Sequence, residues 1–414
     1  MIKKGLSLII VFSLILSSFV YAEEPTVISI DDALDMANED KTNIEKLDDS
    51  IEALWKQYNS AITGKNALQT QLDTIKAFED LYEKKHTENQ LLTAEEEAEL
   101  FQYKMMFGDK PPTYSNQEML DTFIKGRDFG FYSLYAEIQK LKNTRKGIVP
   151  ALNSGVKDLY NQVVGLQNTL MLQNEYLEIS TTQHEQKIVQ YNLGQVSETD
   201  LKISELNLEI LKKQIEQLAF NLDTLEMNFN QLIDANVTDK FVFVDAIAEY
   251  DDILAVEAIH KDLDVYLSDA ITNRSETKNA RIDLGVKERE ENIISIYLSN
   301  ELLTDRVNAS IATTKATYDL EQAEALVKED ISDGYIDALS KWNDYLLSID
   351  SYNLKVKSYE DMKARFDIGQ VTETNLKLVE YQMLMSEDTV KTNLRSYLRA
   401  VDKLDAASGI GPAY

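Results

Sequence analysis

The sequence contains no cysteine, which excludes disulfides, thiolate metal sites, a cysteine nucleophile and the acylated cysteine of a lipoprotein. Histidine is almost as scarce, because His86, His184 and His260 are the only three and none lies near another in sequence. No glycine-rich phosphate loop, nucleophile elbow or zinc-binding helix motif occurs. We therefore predict no catalytic residue, no metal and no cofactor, and a protein that is not an enzyme.

Helix breakers are also rare, with 5 prolines and 14 glycines in 414 residues. No proline lies between Ala151 and Gly411, and this stretch is rich in residues that favour helix, which predicts very long helices. Apolar residues at alternating spacings of three and four from Leu201 to Leu232 indicate a coiled-coil seam. Further apolar residues widen this stripe and predict a second neighbour for the helix: Leu206, Ile210, Phe220 and Met227.

Acidic residues dominate the charge, with 71 Asp and Glu against 42 Lys and Arg and a formal net charge of −29. Such a surface repels phosphate groups, so we expect no nucleic acid partner and no binding to anionic lipid surfaces. Apolar residues still make up 44% of the chain, which is enough for extensive packing and argues against a disordered acidic tail.

The N-terminus has the pattern of a secretory signal peptide. Lys3 and Lys4 precede an apolar stretch from Leu6 to Val20, and Ala22 completes a small-x-small cleavage site. The alternative is an uncleaved N-terminal anchor, because the apolar run is only slightly shorter than the ~20 residues that span a bilayer. We predict a signal peptide over residues 1–22 and an exported protein without a membrane-spanning helix.

An internal repeat is the strongest signal in the sequence. The twelve residues Tyr191–Lys202 recur as Phe366–Lys377, with Gly, Gln, Val, Glu, Thr, Leu and Lys identical in both copies. This repetition predicts a duplicated chain. The predicted segments are a first repeat over 23–234 with an insertion at about 85–130, a linker over 235–251 with a short strand at 241–244, a second repeat over 252–407, and a tail over 408–414.

Each copy of the repeat predicts a tight turn between two antiparallel helices. Gly194 supplies a positive φ at the end of the first helix, Val196 packs back over the turn, and Ser197 caps the next helix with Asp200 three residues on. The corresponding residues of the second copy are Gly369, Val371, Thr372 and Asn375. One alternative is that the two copies are only good turns. A turn requires only glycine and a cap, however, so the repetition of Gln, Val, Glu, Thr and Lys favours a surface shaped for a partner.

The leader, the duplication and the two turns together resemble the TolC family of outer-membrane efflux proteins. Residues 28–37 are also similar to the family's opening helix, with its Ala-Leu-x-x-Ala pattern. The resemblance implies a homotrimer in the cell envelope whose turns meet the hairpin tips of a periplasmic adaptor (membrane fusion) protein, which works with an inner-membrane transporter. The implied docking residues are Gly194, Gln195, Val196, Ser197, Glu198, Asp200, Leu201, Gly369, Gln370, Val371, Thr372, Glu373, Asn375 and Leu376.

Two stretches depart from the family pattern. Family members insert membrane-crossing strands opposite the turns, but residues 85–131 and 282–328 are charged and helix-like here. We predict an all-α, elongated antiparallel bundle of long coiled-coil helices with at most short strands. Its second half should be one hairpin of two long helices, the later one running from about Asp305 to Phe366. The predicted function is a conduit or structural component of an export assembly, and the alternative is an exported coiled-coil scaffold or surface spacer.

Overall fold

The computed structural model describes residues 26–39, 42–245, 247, 261–298, 304–409 and 411, so the predicted signal peptide and the end of the predicted linker (246 and 248–251) lie outside the described residues. The described chain is almost entirely helical, which confirms the predicted all-α fold. The helices are α1 (Ile30–Glu39), α2 (Thr42–His86), α3 (Ala94–Phe107), α4 (Asn116–Met119), a π-helical segment (Leu120–Phe129), α5 (Gly130–Asn192), α6 (Glu198–Leu232), α7 (Leu263–Asn273), α8 (Ser275–Tyr297), α9 (Thr304–Asp367) and α10 (Glu373–Gly409). Within the described ranges, no helix is both long enough and apolar enough to cross a membrane.

Two short strands that are far apart in sequence pair in parallel. β1 (Thr26–Ile28) lies beside β2 (Phe241–Phe243), with Thr26 opposite Phe241 and Ile28 opposite Phe243. The strand predicted at 241–244 is therefore confirmed over its first three residues. Its partner was not predicted as a strand, because three residues carry too little alternation to be recognised in sequence.

The described residues fall into two compact units, of which the first is formed from parts of Met1–Asp40, Leu152–Ile259 and Ala338–Ala400. Its core joins the two strands to α1, α5 and α6. The core side chains that are at least nine-tenths buried are Ile28, Ala33, Ala37, Val156, Tyr160, Val163, Val164, Phe229, Ile233 and Phe243.

One tyrosine fastens the two strands to α5. The hydroxyl of Tyr160 accepts the backbone N–H of Val244 at 2.9 Å, and lies 2.9 Å from the carbonyl of Ile28 and 2.8 Å from that of Val244. The rings of Phe229 and Phe243 meet its ring edge-on, at 6.0 and 5.3 Å between centroids. Burial raises the pKa of the Tyr160 hydroxyl, so the group remains a neutral donor and acceptor over the physiological range.

The second unit is formed from parts of Lys41–Ala151, His260–Asp337 and Val401–Tyr414. Its core packs α2, the π-helical segment, α8 and the start of α9. Gly126 in the π-helical segment faces α2 closely, since a Cβ there would lie 2.8 Å from Leu68 Cδ1. The core residues are Ile75, Leu120, Phe123, Ile124, Ile293, Ile294, Leu298 and Ala309.

Helical structure occupies most of both stretches that were predicted to lack the family's strands. Residues 85–131 contain α3, α4 and the π-helical segment. Residues 282–328 contain the later part of α8 and the start of α9, apart from 299–303, which lie outside the described residues. The predicted late helix from Asp305 to Phe366 is confirmed as α9, within one residue at each end.

The prediction of a single long helix before α9 is wrong. The helix is interrupted at Arg274, whose backbone is extended between α7 and α8. Only 4% of Arg274 is exposed, and its guanidinium bonds Glu276 at 2.6 Å and also bonds Asp330. A buried guanidinium needs carboxylate partners, and the break lets this side chain reach them.

We expect Tyr160→Phe to weaken the first unit by about 1–3 kcal/mol, because the backbone groups of Val244 and Ile28 lose a buried hydrogen-bond partner. Denaturant titration followed by circular dichroism measures the change. Tyr318→Phe is the matched control, since Tyr318 is 64% exposed on α9. Equal unfolding midpoints for the two variants would show that the Tyr160 hydroxyl does not fasten the strands.

Candidate functional site

The first candidate turn joins α5 to α6 through backbone hydrogen bonds. Gln195 N–H donates to Gln190 O at 2.8 Å and Gly194 N–H to Tyr191 O at 2.9 Å, which is the Schellman pattern of a helix end. Gly194 has a φ of 71°, as its place in that pattern requires. The predicted positive φ at Gly194 is therefore confirmed.

A reciprocal cap starts α6 directly after this turn. Asp200 N–H donates to Ser197 Oγ at 3.1 Å, while the Ser197 backbone N–H and hydroxyl donate to Asp200 Oδ2 at 3.2 and 2.7 Å. The bonds from Ser197 hold the pKa of the Asp200 carboxyl below its usual range. The predicted capping box is thus present and keeps a negative charge at the helix N-terminus, where the helix dipole favours it.

The second candidate turn repeats the first between α9 and α10. Gly369 also has a φ of 71°, and Gln370 N–H donates to Arg365 O at 2.9 Å. Asn375 N–H donates to Thr372 Oγ1 at 3.3 Å, which is the longer and weaker counterpart of the first cap. Two segments of similar sequence therefore build the same local turn twice.

Each turn sets the pairing of the helices that leave it. His184 Nδ1 lies 3.2 Å from Ser204 Oγ, and both residues stand ten positions from Gly194. In the second hairpin Asn393 Nδ2 donates to Asp344 O at 3.2 Å, with the two residues about equally far from the turn. Contacts at equal distances from the turn are the sign of two antiparallel helices closed by a tight reversal.

The two hairpins also contact each other close to their turns. Gln186 Nε2 donates to Thr374 Oγ1 at 2.8 Å, and Thr374 is only 7% exposed. Further along the helices the rings of Tyr176 and Tyr381 stack at 4.8 Å. The structure therefore places the first helix of one hairpin beside the second helix of the other, so that both turns lie at the same end of the first unit. Thr374 was not among the predicted site residues, although it belongs to the repeat.

Among the predicted site residues, Val196 and Val371 are half-buried, as expected for side chains that pack back over a turn. Leu201 and Leu376 are half-buried on the helices that follow. The remaining predicted residues are exposed: Gly194, Gln195, Ser197, Glu198, Asp200, Gly369, Gln370, Thr372, Glu373 and Asn375.

Part of the sequence repetition has a local structural explanation. Glu198 pairs with Lys202 at 3.5 Å, and Glu373 with Lys377 at 3.2 Å, one helical turn apart in each case. Both pairs are exposed, and such pairs add only about 0.3–0.5 kcal/mol to a helix. The repeated Glu and Lys therefore support the first turn of α6 and α10, and their side chains remain accessible to a partner.

Sequence reasoning missed the most exposed apolar side chains of the turns. Leu193 is 67% exposed and Ile368 is 68% exposed, while Tyr191 and Phe366 beside them are 39% and 36% exposed. These four residues occupy matching places in the two repeats, and we call them the tip surface. The signal was present in the sequence, since both copies keep an apolar residue directly before the glycine where a turn requires none.

The apolar residues that widen the stripe of α6 are about half exposed or more. Leu206, Ile210, Phe220 and Met227 are 55%, 47%, 66% and 45% exposed. We call them the α6 stripe. The opposite side of the same helix is covered, with Leu211 and Phe229 buried as members of the predicted seam.

Solved structures share this architecture, whereas no protein-family model matches the sequence and no curated protein matches it significantly. A membrane protein from Pseudomonas aeruginosa is similar over 93% of this chain and 91% of its own, with a TM-score of 0.60 and 11% identity. A structure of CusC, described in terms of folding and transmembrane channel formation, covers 95% of this chain and 96% of its own at a TM-score of 0.59 and 10% identity. The CmeC outer membrane channel of Campylobacter jejuni is similar over 70% of this chain and 69% of its own, with a TM-score of 0.52 and 14% identity.

The chain has the fold of these membrane proteins. The resemblance to the TolC family that the sequence predicts is thereby confirmed at the level of the fold. At identities of 10–14% the comparison supports the architecture and leaves the activity to be argued from the chain's own surfaces.

We expect Gly194→Val to destabilise its turn by about 1–2 kcal/mol, because valine disfavours a positive φ. A Cβ at Gly194 would meet no atom within 4 Å, so the effect comes from backbone strain alone. Hydrogen exchange at the Gln195 amide should become faster while the helical dichroism of the whole chain is unchanged. Gly194→Asn is the control, since asparagine tolerates this conformation. Equal exchange rates in both variants would contradict the assignment of strain to φ.

Proposed function

We propose that the protein is a TolC-like conduit or structural component of an export or efflux assembly in the cell envelope. The observation that carries the proposal is the tip surface, in which two copies of one turn lie together and expose matching apolar residues. Leu193 and Ile368 are each about two-thirds exposed at these turns. Exposed apolar side chains beside a polar rim are typical of surfaces that bind another protein.

The partner that fits this surface is the helical hairpin tip of an adaptor protein. Glycine at the turns leaves open space above Gly194 and Gly369, since an added Cβ would meet nothing within 4 Å at either position. A second helix end can therefore approach the backbone closely. Gln195 and Gln370 are exposed beside the apolar residues and offer polar contacts on both turns.

A homotrimer is the assembly that we propose for the chain. Successive residues of the exposed α6 stripe are four, ten and seven positions apart, which fits the three-and-four spacing of a coiled-coil seam. The net charge of −29 opposes association at low salt, so screening by salt should favour the oligomer.

Photo-cross-linking from the turns tests the docking role. With benzoylphenylalanine at Leu193 or Ile368, irradiation of the producing cells should yield one cross-linked partner, and mass spectrometry should identify it as a protein with a long helical hairpin. Leu91 is the control position, because it is 97% exposed and lies in the second unit.

The outcomes separate the proposal from an exported scaffold or surface spacer. A hairpin partner at both tip positions and none at Leu91 supports docking. Cross-links to unrelated surface components, or identical products from all three positions, would favour the scaffold and overturn the docking role.

Sedimentation tests the trimer. We expect the exported chain to sediment at three times its own mass in moderate salt, and Phe220→Asp to return it to a single chain because a charge is placed within the α6 stripe. Asn221→Asp is the matched control, since it adds the same charge at the neighbouring exposed position. A single-chain mass for the unmodified protein at high concentration would rule out the proposed trimer.

A further inference from the structure

The second unit contains a cleft of about 490 Å³ between the start of α5 and the middle of α8. One wall is formed by Tyr132, Tyr135 and Asn143 of α5, and the other by Lys278, Arg281 and Gly285 of α8. Its volume lies within the range of small-molecule sites in proteins. The cleft lies apart in sequence from the tip surface and the α6 stripe, and neither of the roles proposed above uses it.

The α5 wall is aromatic and is held in place from behind. Tyr135 is 44% exposed, and its ring meets Trp55 at 6.2 Å and Tyr58 at 6.0 Å on α2. Asn143 Nδ2 donates to Asn279 Oδ1 at 2.9 Å, which ties this wall to α8. Tyr135 therefore presents a supported aromatic surface to the cleft, and Tyr132 lines the same wall.

The α8 wall is cationic in a chain that is strongly acidic overall. Arg281 bonds Glu324 on α9 at 3.1 Å, which leaves the remaining guanidinium donors available. Two acidic residues on the helices that form the walls, Glu137 and Asp283, both pair with Lys140, at 2.8 and 3.0 Å.

Lys278 forms no ion pair with any of the residues that the structure describes. Burial lowers the pKa of its ammonium group, and the nearby Lys146 on α5 lowers this pKa further. An opposite charge placed in the cleft would stabilise the ammonium form and relieve the repulsion between the two lysines.

We propose that this cleft binds a small organic anion that joins a carboxylate or sulfonate to a planar aromatic body. The acid group lies against Lys278 and Arg281, and the aromatic body lies against Tyr132 and Tyr135. Charge-assisted hydrogen bonds supply orientation, and burial of the aromatic body supplies most of the affinity. Gly285 lines the cleft directly opposite Tyr132, since a Cβ there would stand 3.6 Å from Tyr132 Oη.

The chain provides its own reporter for a test. It has two tryptophans, and Trp342→Phe leaves only Trp55, whose ring lies against Tyr135. In this background we expect naphthalene-1-sulfonate to change Trp55 fluorescence in a saturable way. The neutral naphthalene-1-methanol should bind about tenfold more weakly or worse, because it lacks the charge-assisted contact.

Substitutions in α8 assign the effect to the cleft. Lys278→Gln should weaken naphthalene-1-sulfonate binding by about tenfold or more, and Lys278→Arg should retain it. Lys287→Gln is the matched control on the same helix, where Lys287 pairs with Glu290 at 3.0 Å away from the cleft. Gly285→Leu should abolish binding by filling the cleft, while helicity is kept or increased because leucine favours helix more than glycine does.

Three results would overturn the proposal. They are equal affinity for the sulfonate and the neutral probe, an unchanged affinity in Lys278→Gln, and full binding by a folded Gly285→Leu variant. Circular dichroism of each variant separates loss of the cleft from loss of the fold.

Discussion

Two glycine turns determine how the long helices of this protein face each other. α5 and α9 contain 63 and 64 residues, and each reverses into the next helix at a glycine with a φ of 71°. A shift of one residue at the turn would rotate the following helix by about 100° relative to its partner, so contacts far from the turn depend on it. Gly155 illustrates this, because a Cβ there would lie 3.6 Å from Leu232, about forty residues of helix from Gly194 on either side.

Long helices and tight turns are the part of the fold that local sequence determines. Scarce proline and glycine predict α5, α6, α9 and α10, and the capping residues predict where α6 begins. Pro150 shows the limit of this reasoning, because α5 continues through it although proline removes a helical hydrogen bond at a cost of about 3 kcal/mol. Ile138 before Pro150 and Val156 after it are both buried, and their packing keeps the helix continuous across the missing hydrogen bond.

Features that depend on distant contacts could not be predicted. The break at Arg274 exists where a buried guanidinium meets Asp330, which is 56 residues away in sequence. The π-helical segment packs Gly126 against Leu68 of α2, and a wider helical turn has no local signature in these residues. The prediction of the site had the same limit. The repeat indicated the turn chemistry at Gly194, but the contact between Gln186 and Thr374 belongs to the packing of two hairpins.

The account depends on the two turns lying side by side, and one cross-linking measurement tests this directly. Because the chain has no cysteine, Gln186→Cys with Thr374→Cys introduces a single reactive pair at a contact of 2.8 Å. A short bifunctional maleimide should join this pair within one chain, which denaturing electrophoresis and peptide mapping would detect. Gln186→Cys with Asn221→Cys should not react within the chain, because Asn221 lies on α6 several helical turns further from the glycine turn than Gln186 does. Absence of the Gln186–Thr374 link, or a link formed only between chains, would contradict the paired tips on which the proposed docking rests.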